Sequence, residues 1–127
     1  MYSETTNEIE VSVQPFYVEE RSKPDLSYFF YAYQVQIINR GTVPLQIVER
    51  HWIITDGHGH VEEVTGEGVV GLQPLLGPGE TFEYTSACPL RTPTGNMRGS
   101  YILKDDEGKR TNVAIPLFFL RHPSTFH

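Results

Sequence analysis

The stretch Thr65 to Gly79, T-G-E-G-V-V-G-L-Q-P-L-L-G-P-G, carries the glycine spacing of a dinucleotide-binding loop in a chain that lacks the helix such a loop requires. In that fingerprint Gly66, Gly68 and Gly71 would make a tight turn, let the backbone approach pyrophosphate, and pack a following helix whose N-terminus holds the anion. Gly71 is followed instead by Leu72, Gln73 and Pro74, then by Gly77-Pro78-Gly79, and these breakers stop a helix from propagating. Outside a strand-to-helix context, G-x-G-x-x-G is weak evidence for a nucleotide. The stretch reads as a glycine-rich bulge or tight loop between strands. Its successive N–H groups leave one ligand reading open, a concave nest for a small anion.

On either side of this loop the apolar residues repeat with period two. Ile9, Val11 and Val13 share one face, and Pro15 marks that run as an edge strand or a bulge. Phe29, Tyr31, Tyr33, Val35 and Ile37 form the buried face of a longer run ending at Asn39-Arg40-Gly41. Between Pro44 and Thr55 the parity changes, with Leu45 and Ile47 on one side and Val48, Trp52 and Ile54 on the other, which places a bulge near Val48. Asp56-Gly57 turns the chain into a returning strand, His60 to Thr65. Phe82, Tyr84 and Ser86 then share a face; so do Met97, Gly99, Tyr101 and Leu103, and, after the Asp105-Asp106-Glu107-Gly108 turn, Val113, Ile115, Leu117 and Phe119. About seven strands with no convincing helical stripe point to an all-β, antiparallel two-sheet sandwich, with residues 1–127 as a single domain. The tail His122 to His127 reads as irregular, either free or packed as a strap.

Composition narrows the function. A net charge of −6 argues against general nucleic-acid binding or attraction to an anionic membrane. No run approaches the roughly 18 apolar residues of a spanning helix, and the acidic start M-Y-S-E-T-T-N-E does not resemble a secretory signal. Cys88 is the single cysteine, so no internal disulfide can form and a cytoplasmic location is expected.

Few side chains propose chemistry. Asp56, His58 and His60 could ligate a divalent metal, with Glu62 continuing the parity; imidazoles favour Co²⁺ over Mg²⁺, and the competing assignment is an exposed polar hairpin tip. Cys88 before Pro89 reads as a strand-end residue rather than a nucleophile, and His51, opposite Trp52 in strand parity so that one of the two is buried and the other exposed or at the rim, as structural. The acids at 105–107 read as a solvated turn.

The stretches N-R-G-T-V-P-L-Q-I-V-E-R-H-W-I-I-T-D-G-H-G, T-G-E-G-V-V-G-L-Q-P-L-L-G-P-G-E-T-F-E-Y-T-S and L-R-T-P-T-G-N-M-R-G-S-Y resemble the bacterial ApaG family, over Tyr28 to the C-terminus, and the terminal Pro-x-x-x-His at Pro123 and His127 is similar. The resemblance implies a fibronectin type III-like or immunoglobulin-like β-sandwich. It also implies an association with cobalt tolerance and magnesium efflux, and no enzymatic activity. Related eukaryotic domains, in an F-box protein and a polymerase delta-interacting protein, look like interaction modules. In the family the glycine motif matching Gly66, Gly68 and Gly71 has prompted a pyrophosphate-binding suggestion. The expectation is a non-enzymatic binding module with an unidentified protein partner, no required cofactor, and a contact surface at Gly66, Glu67, Gly68, Val69, Val70 and Gly71. The alternative is a sensor that binds pyrophosphate or a nucleotide at this loop, or a divalent metal at the histidine turn.

Overall fold

The computed structural model describes residues 1–122, so the tail pattern from Pro123 to His127 lies outside the described residues. Among the described residues nine strands are present: β1 (Tyr2–Thr6), β2 (Ile9–Tyr17), β3 (Phe29–Asn39), β4 (Leu45–Asp56), β5 (Val61–Glu67), β6 (Leu75–Leu76), β7 (Thr81–Leu90), β8 (Thr94–Lys104) and β9 (Arg110–Arg121). They form two antiparallel sheets, ordered β1-β2-β3-β7 and β5-β4-β8-β9, with β6 added to the start of β4 through Leu45↔Leu76 and Gln46↔Leu75. The fold is the expected all-β sandwich, with two strands more than the pattern predicts. Among the described residues no helix is long and apolar enough to cross a membrane.

The extra strand β1 corrects the edge assignment of β2, which pairs with β1 on one side and β3 on the other. β1 escapes the period-two test because its middle residues are exposed, so no apolar alternation marks it. Pro15 is still tolerated as edge logic requires. The Val18 N–H donates to the Phe30 carbonyl, which fixes the alternation and turns Pro15's missing N–H toward the flank of β1. There the paired register has already ended at Tyr2↔Val13.

Two bulges set which residues enter the core. On β4 the register with β8 shifts between Ile47 and Glu49, so Val48 is the inserted residue, as the parity change foretells. Ile47 faces inward before it; Trp52 does so after it. The second bulge corrects the face assigned to β9. The register shifts between Met97↔Phe118 and Gly99↔Ile115, leaving Pro116 and Leu117 opposite Arg98. Beyond this point Phe118 and Leu120 are buried and Leu117 and Phe119 exposed, the reverse of strict alternation from Val113. Pro116 cannot donate to the ladder, and a bulge accommodates it.

The interior between the sheets is aromatic at its centre. Trp52 packs edge-on against Phe118 and Tyr101, with ring centroids 6.0 and 6.3 Å apart, and Tyr33 lies 5.3 Å from Trp52. Asn39, buried at the end of β3, is satisfied: its amide donates to Val43 and Leu76 carbonyls, and its Oδ1 accepts from the Gly41 N–H. One flank of the sandwich is shut, because β9 packs against β1 and β2 and the Ala114 N–H donates to Thr6 Oγ1. Among the described residues the other flank, between β5 and β7, carries no strand pairing.

Of the glycines, Gly99 leaves the least room for a Cβ, which would lie 2.0 Å from the His51 carbonyl oxygen and 3.2 Å from Trp52 Cα. Gly99→Ala should force β8 away from β4 and lower unfolding stability by about 2–3 kcal/mol in urea titration. The neighbouring Ser100→Ala change serves as the control and should have little effect.

Candidate functional site

The glycine stretch connects strands through a two-residue hairpin turn. Val69 and Leu72 exchange backbone bonds, N–H to carbonyl at 2.8 Å and 2.9 Å, and the residues between them, Val70 and Gly71, have φ of 43° and 78°. Positive φ at both central positions is the mirror-image turn that suits a β-hairpin. Each glycine has a separate duty. A Cβ on Gly66 would sit 2.8 Å from the Arg50 guanidinium nitrogens, and one on Gly68 would sit 2.2 Å from the Leu72 carbonyl oxygen. Gly71 supplies the left-handed second position of the turn. Three amides of the stretch are turned inward: Gly68 N–H donates to the Val48 carbonyl, Val69 N–H to Leu72, and Leu72 N–H to Val69.

The loop does not present its two valines together. Val69 is fully buried in the core, whereas Val70 is 53% exposed. The contact surface expected from both residues therefore reduces to Val70. A β-branched residue at φ 43° is a conformational outlier on an exposed turn, held there by the Val69–Leu72 bridge.

At the other end of β5, Asp56 organises the histidine turn. Its Oδ1 accepts from the His58 and His60 N–H groups at 2.9 and 3.0 Å, its own N–H donates to the His60 carbonyl, and Gly59 adopts φ 83°. Asp105 builds the same turn, accepting from Glu107 and Lys109 N–H groups at 2.9 Å with Gly108 at φ 82°. In both places the aspartate is a turn-closing acceptor. Desolvation pushes the Asp56 carboxyl upward, but donation from the His60 and His58 backbones, helped by their rings, outweighs it and holds the group below its ordinary value. Among the described residues no three His, Cys, Asp or Glu side chains converge as a metal shell. Asp56, His58 and His60 thus share one exposed turn without forming a ligand set.

Both stretches line one cleft of about 940 Å³ on the open flank of the sandwich. Val70 and Gly71 border it from the glycine loop, and Asp56 and His60 from the histidine turn. Trp52 and Met97 lie beneath. The residue that sequence reasoning misses is Arg50. It lies on the same parity as Trp52 after the Val48 bulge, enters the cleft, and donates through Nη1 to the Glu67 and Gly68 carbonyls at 2.9 and 3.1 Å. The parity change was the signal that could have found it. Beside it, Tyr84 from β7 and Tyr101 from β8 join their hydroxyls in a hydrogen bond between the two sheets. Burial raises the pKa of Tyr33, Tyr84 and Tyr101, so all three hydroxyls stay protonated. Cys88, also lining the cleft, is pushed up to about 12 by burial and then by Glu62, which keeps it a thiol rather than a nucleophilic thiolate. His51 faces the opposite side of β4, half-exposed, with Nε2 3.4 Å from Glu63.

Two measurements test these turns. Val70→Asn would create the Asn-Gly pair that mirror-image turns prefer, and it should raise stability by about 1 kcal/mol in chemical denaturation. Asp56→Ala should lower the melting temperature at pH 7. Because the folded-state carboxyl is held below its unfolded value, the Asp56 contribution is present above the ordinary carboxylate range and fades as pH falls through the folded pKa. The gap between wild type and Asp56→Ala should therefore narrow in melts taken at progressively lower pH.

Comparison with known proteins agrees with this architecture. The ApaG domain model matches residues 19–105. Protein ApaG of Paramagnetospirillum magneticum is 50% identical over 123 residues, covering 97% of this chain and 95% of that protein. Protein ApaG of Bordetella pertussis is 53% identical over 120 residues, covering 94% and 92%. A crystal structure from Bordetella pertussis bearing the name ApaA superposes with TM-score 0.88 at 54% identity, covering 91% of this chain and 94% of that one. With the family model, these relatives and the shared β-sandwich in agreement, the chain belongs to the ApaG family.

Proposed function

We propose that this chain is a non-enzymatic binding module that recognises a partner protein through the cleft between β5 and β7. The observation that carries this reading is the open flank itself: a cleft of about 940 Å³ with an aromatic floor, bounded by two strand edges that pair with no other strand among the described residues. Its groups suit recognition better than turnover. Cys88 is held as a thiol, the tyrosines are held protonated, and the Asp56 carboxylate is engaged by its own turn. The family resemblance supplies the setting, cobalt and magnesium homeostasis, and we place the chain in the cytoplasm with no required cofactor. A small-ligand sensor draws less support, because the Gly68 and Val69 amides of the glycine loop are spent on the Val48 and Leu72 carbonyls.

Photo-crosslinking tests the proposal. A benzoylphenylalanine at Ala87, exposed on the cleft, should trap one reproducible partner in cells, and the same probe at Glu4, on the closed flank, should not. Metal- or nucleotide-dependent turnover by the purified chain, abolished by Arg50→Ala, would overturn the reading.

A further inference from the structure

We infer that the occupant of the cleft is an extended, acid-bearing peptide segment of the partner, which adds as a strand to the free edge of β7 and sets a carboxylate against Arg50. This rests on the binding-module reading and specifies its chemistry.

The free edge can be identified residue by residue. The Asn39 N–H donates to the Glu80 carbonyl at 3.0 Å, and alternation from that pair turns residues 82, 84, 86 and 88 toward β3. The N–H groups of Thr81, Glu83, Thr85 and Ala87 therefore point away from the sheet, toward a side where no strand pairs among the described residues. Pro89, on the same alternation, ends the run of donors. The β5 edge is fixed likewise by the Gly68 N–H to the Val48 carbonyl, 2.8 Å, which turns Val61, Glu63, Thr65 and Glu67 outward. That edge carries Glu62, Glu63 and Glu67, whereas β7 carries Glu83 alone, so an acidic strand meets less repulsion at β7 than at β5.

Arg50 supplies the attraction. Arg40 and Arg110 each meet a carboxylate, Glu10 at 2.6 Å and Glu49 at 2.9 Å. Among the described residues Arg50 has no such partner; its bonds are Nη1 to two carbonyls, and Nε and Nη2 have no protein acceptor. The Nη1 bonds and the space above Gly66 hold the guanidinium in place, and its charge acts on Tyr84 of β7. A half-buried guanidinium with one side pinned and the other open is arranged for a planar carboxylate. Exposed Val70 adds an apolar contact at the rim.

The test begins with a phage-displayed library of linear 12-residue peptides panned on the intact chain. Selected peptides are synthesised and titrated by fluorescence anisotropy. The expected result is a shared Asp or Glu among alternating apolar residues. Changing that acid to its amide should weaken binding about tenfold on wild type but not on Arg50→Gln. Amide exchange by NMR should show Thr81, Glu83, Thr85 and Ala87 slowing in the complex. Arg50→Gln must keep the wild-type amide spectrum outside the cleft; if it does not, Arg50→Lys replaces it, and a tenfold loss through a compact cation's poorer fit reads the same contact. Peptides that lack a common acid, or that protect β5 instead of β7, overturn this mode and leave the binding-module reading to the crosslinking result. Failure to enrich any peptide also overturns it.

Discussion

The single inserted residue at Val48 is the constraint from which the rest of the molecule follows. Its carbonyl accepts two bonds from the glycine stretch, the Gly68 N–H at 2.8 Å and the Gln73 side-chain amide at 3.0 Å. The bulge and the loop thus hold each other in place. With the insertion, β4 changes face in mid-strand, so Ile47 and Trp52 both reach the interior although they differ in parity. The same change of face delivers Arg50 to the open flank. A strand that alternated without interruption could fill the core at one end only.

Much of this was legible in the sequence because burial on a pleated strand leaves a period-two trace. The β3 and β8 faces and the bulge at Val48 all followed from that trace, and the hairpin at Asp56 from the turn chemistry of Asp56-Gly57. Its failures have physical causes. β1 lies at a sheet edge with its middle residues exposed, so it leaves no apolar pattern, and β6 is two residues long. On β9 the pattern ran unbroken through Leu117 and Phe119, and only the register past Pro116 shows that both face solvent.

The site was less legible than the fold, for a different reason. Sequence spacing treated the glycines as one motif, whereas each answers to a different neighbour: a guanidinium at Gly66, a carbonyl at Gly68, the left-handed turn at Gly71. Those neighbours are contributed by distant positions or by backbone geometry, and no local pattern encodes them. Asp56 misled similarly. Its carboxylate looked available to a ligand, but its oxygen closes the turn, as Asp105 does at an unrelated hairpin. What sequence could not place was the adjacency of the two stretches, which lie at opposite ends of β5 and open onto the same space.

The tyrosine pair beneath that space has a mechanical meaning. Tyr84 stands on one sheet and Tyr101 on the other, and their hydroxyls meet between them. Two rings joined end to end by a hydrogen bond brace the sheets against each other, so the gape of the open flank is tied to side chains packed in the core rather than to the compliance of a loop. Anything entering meets a jaw already set to width, and the entropy of closing it has been spent during folding.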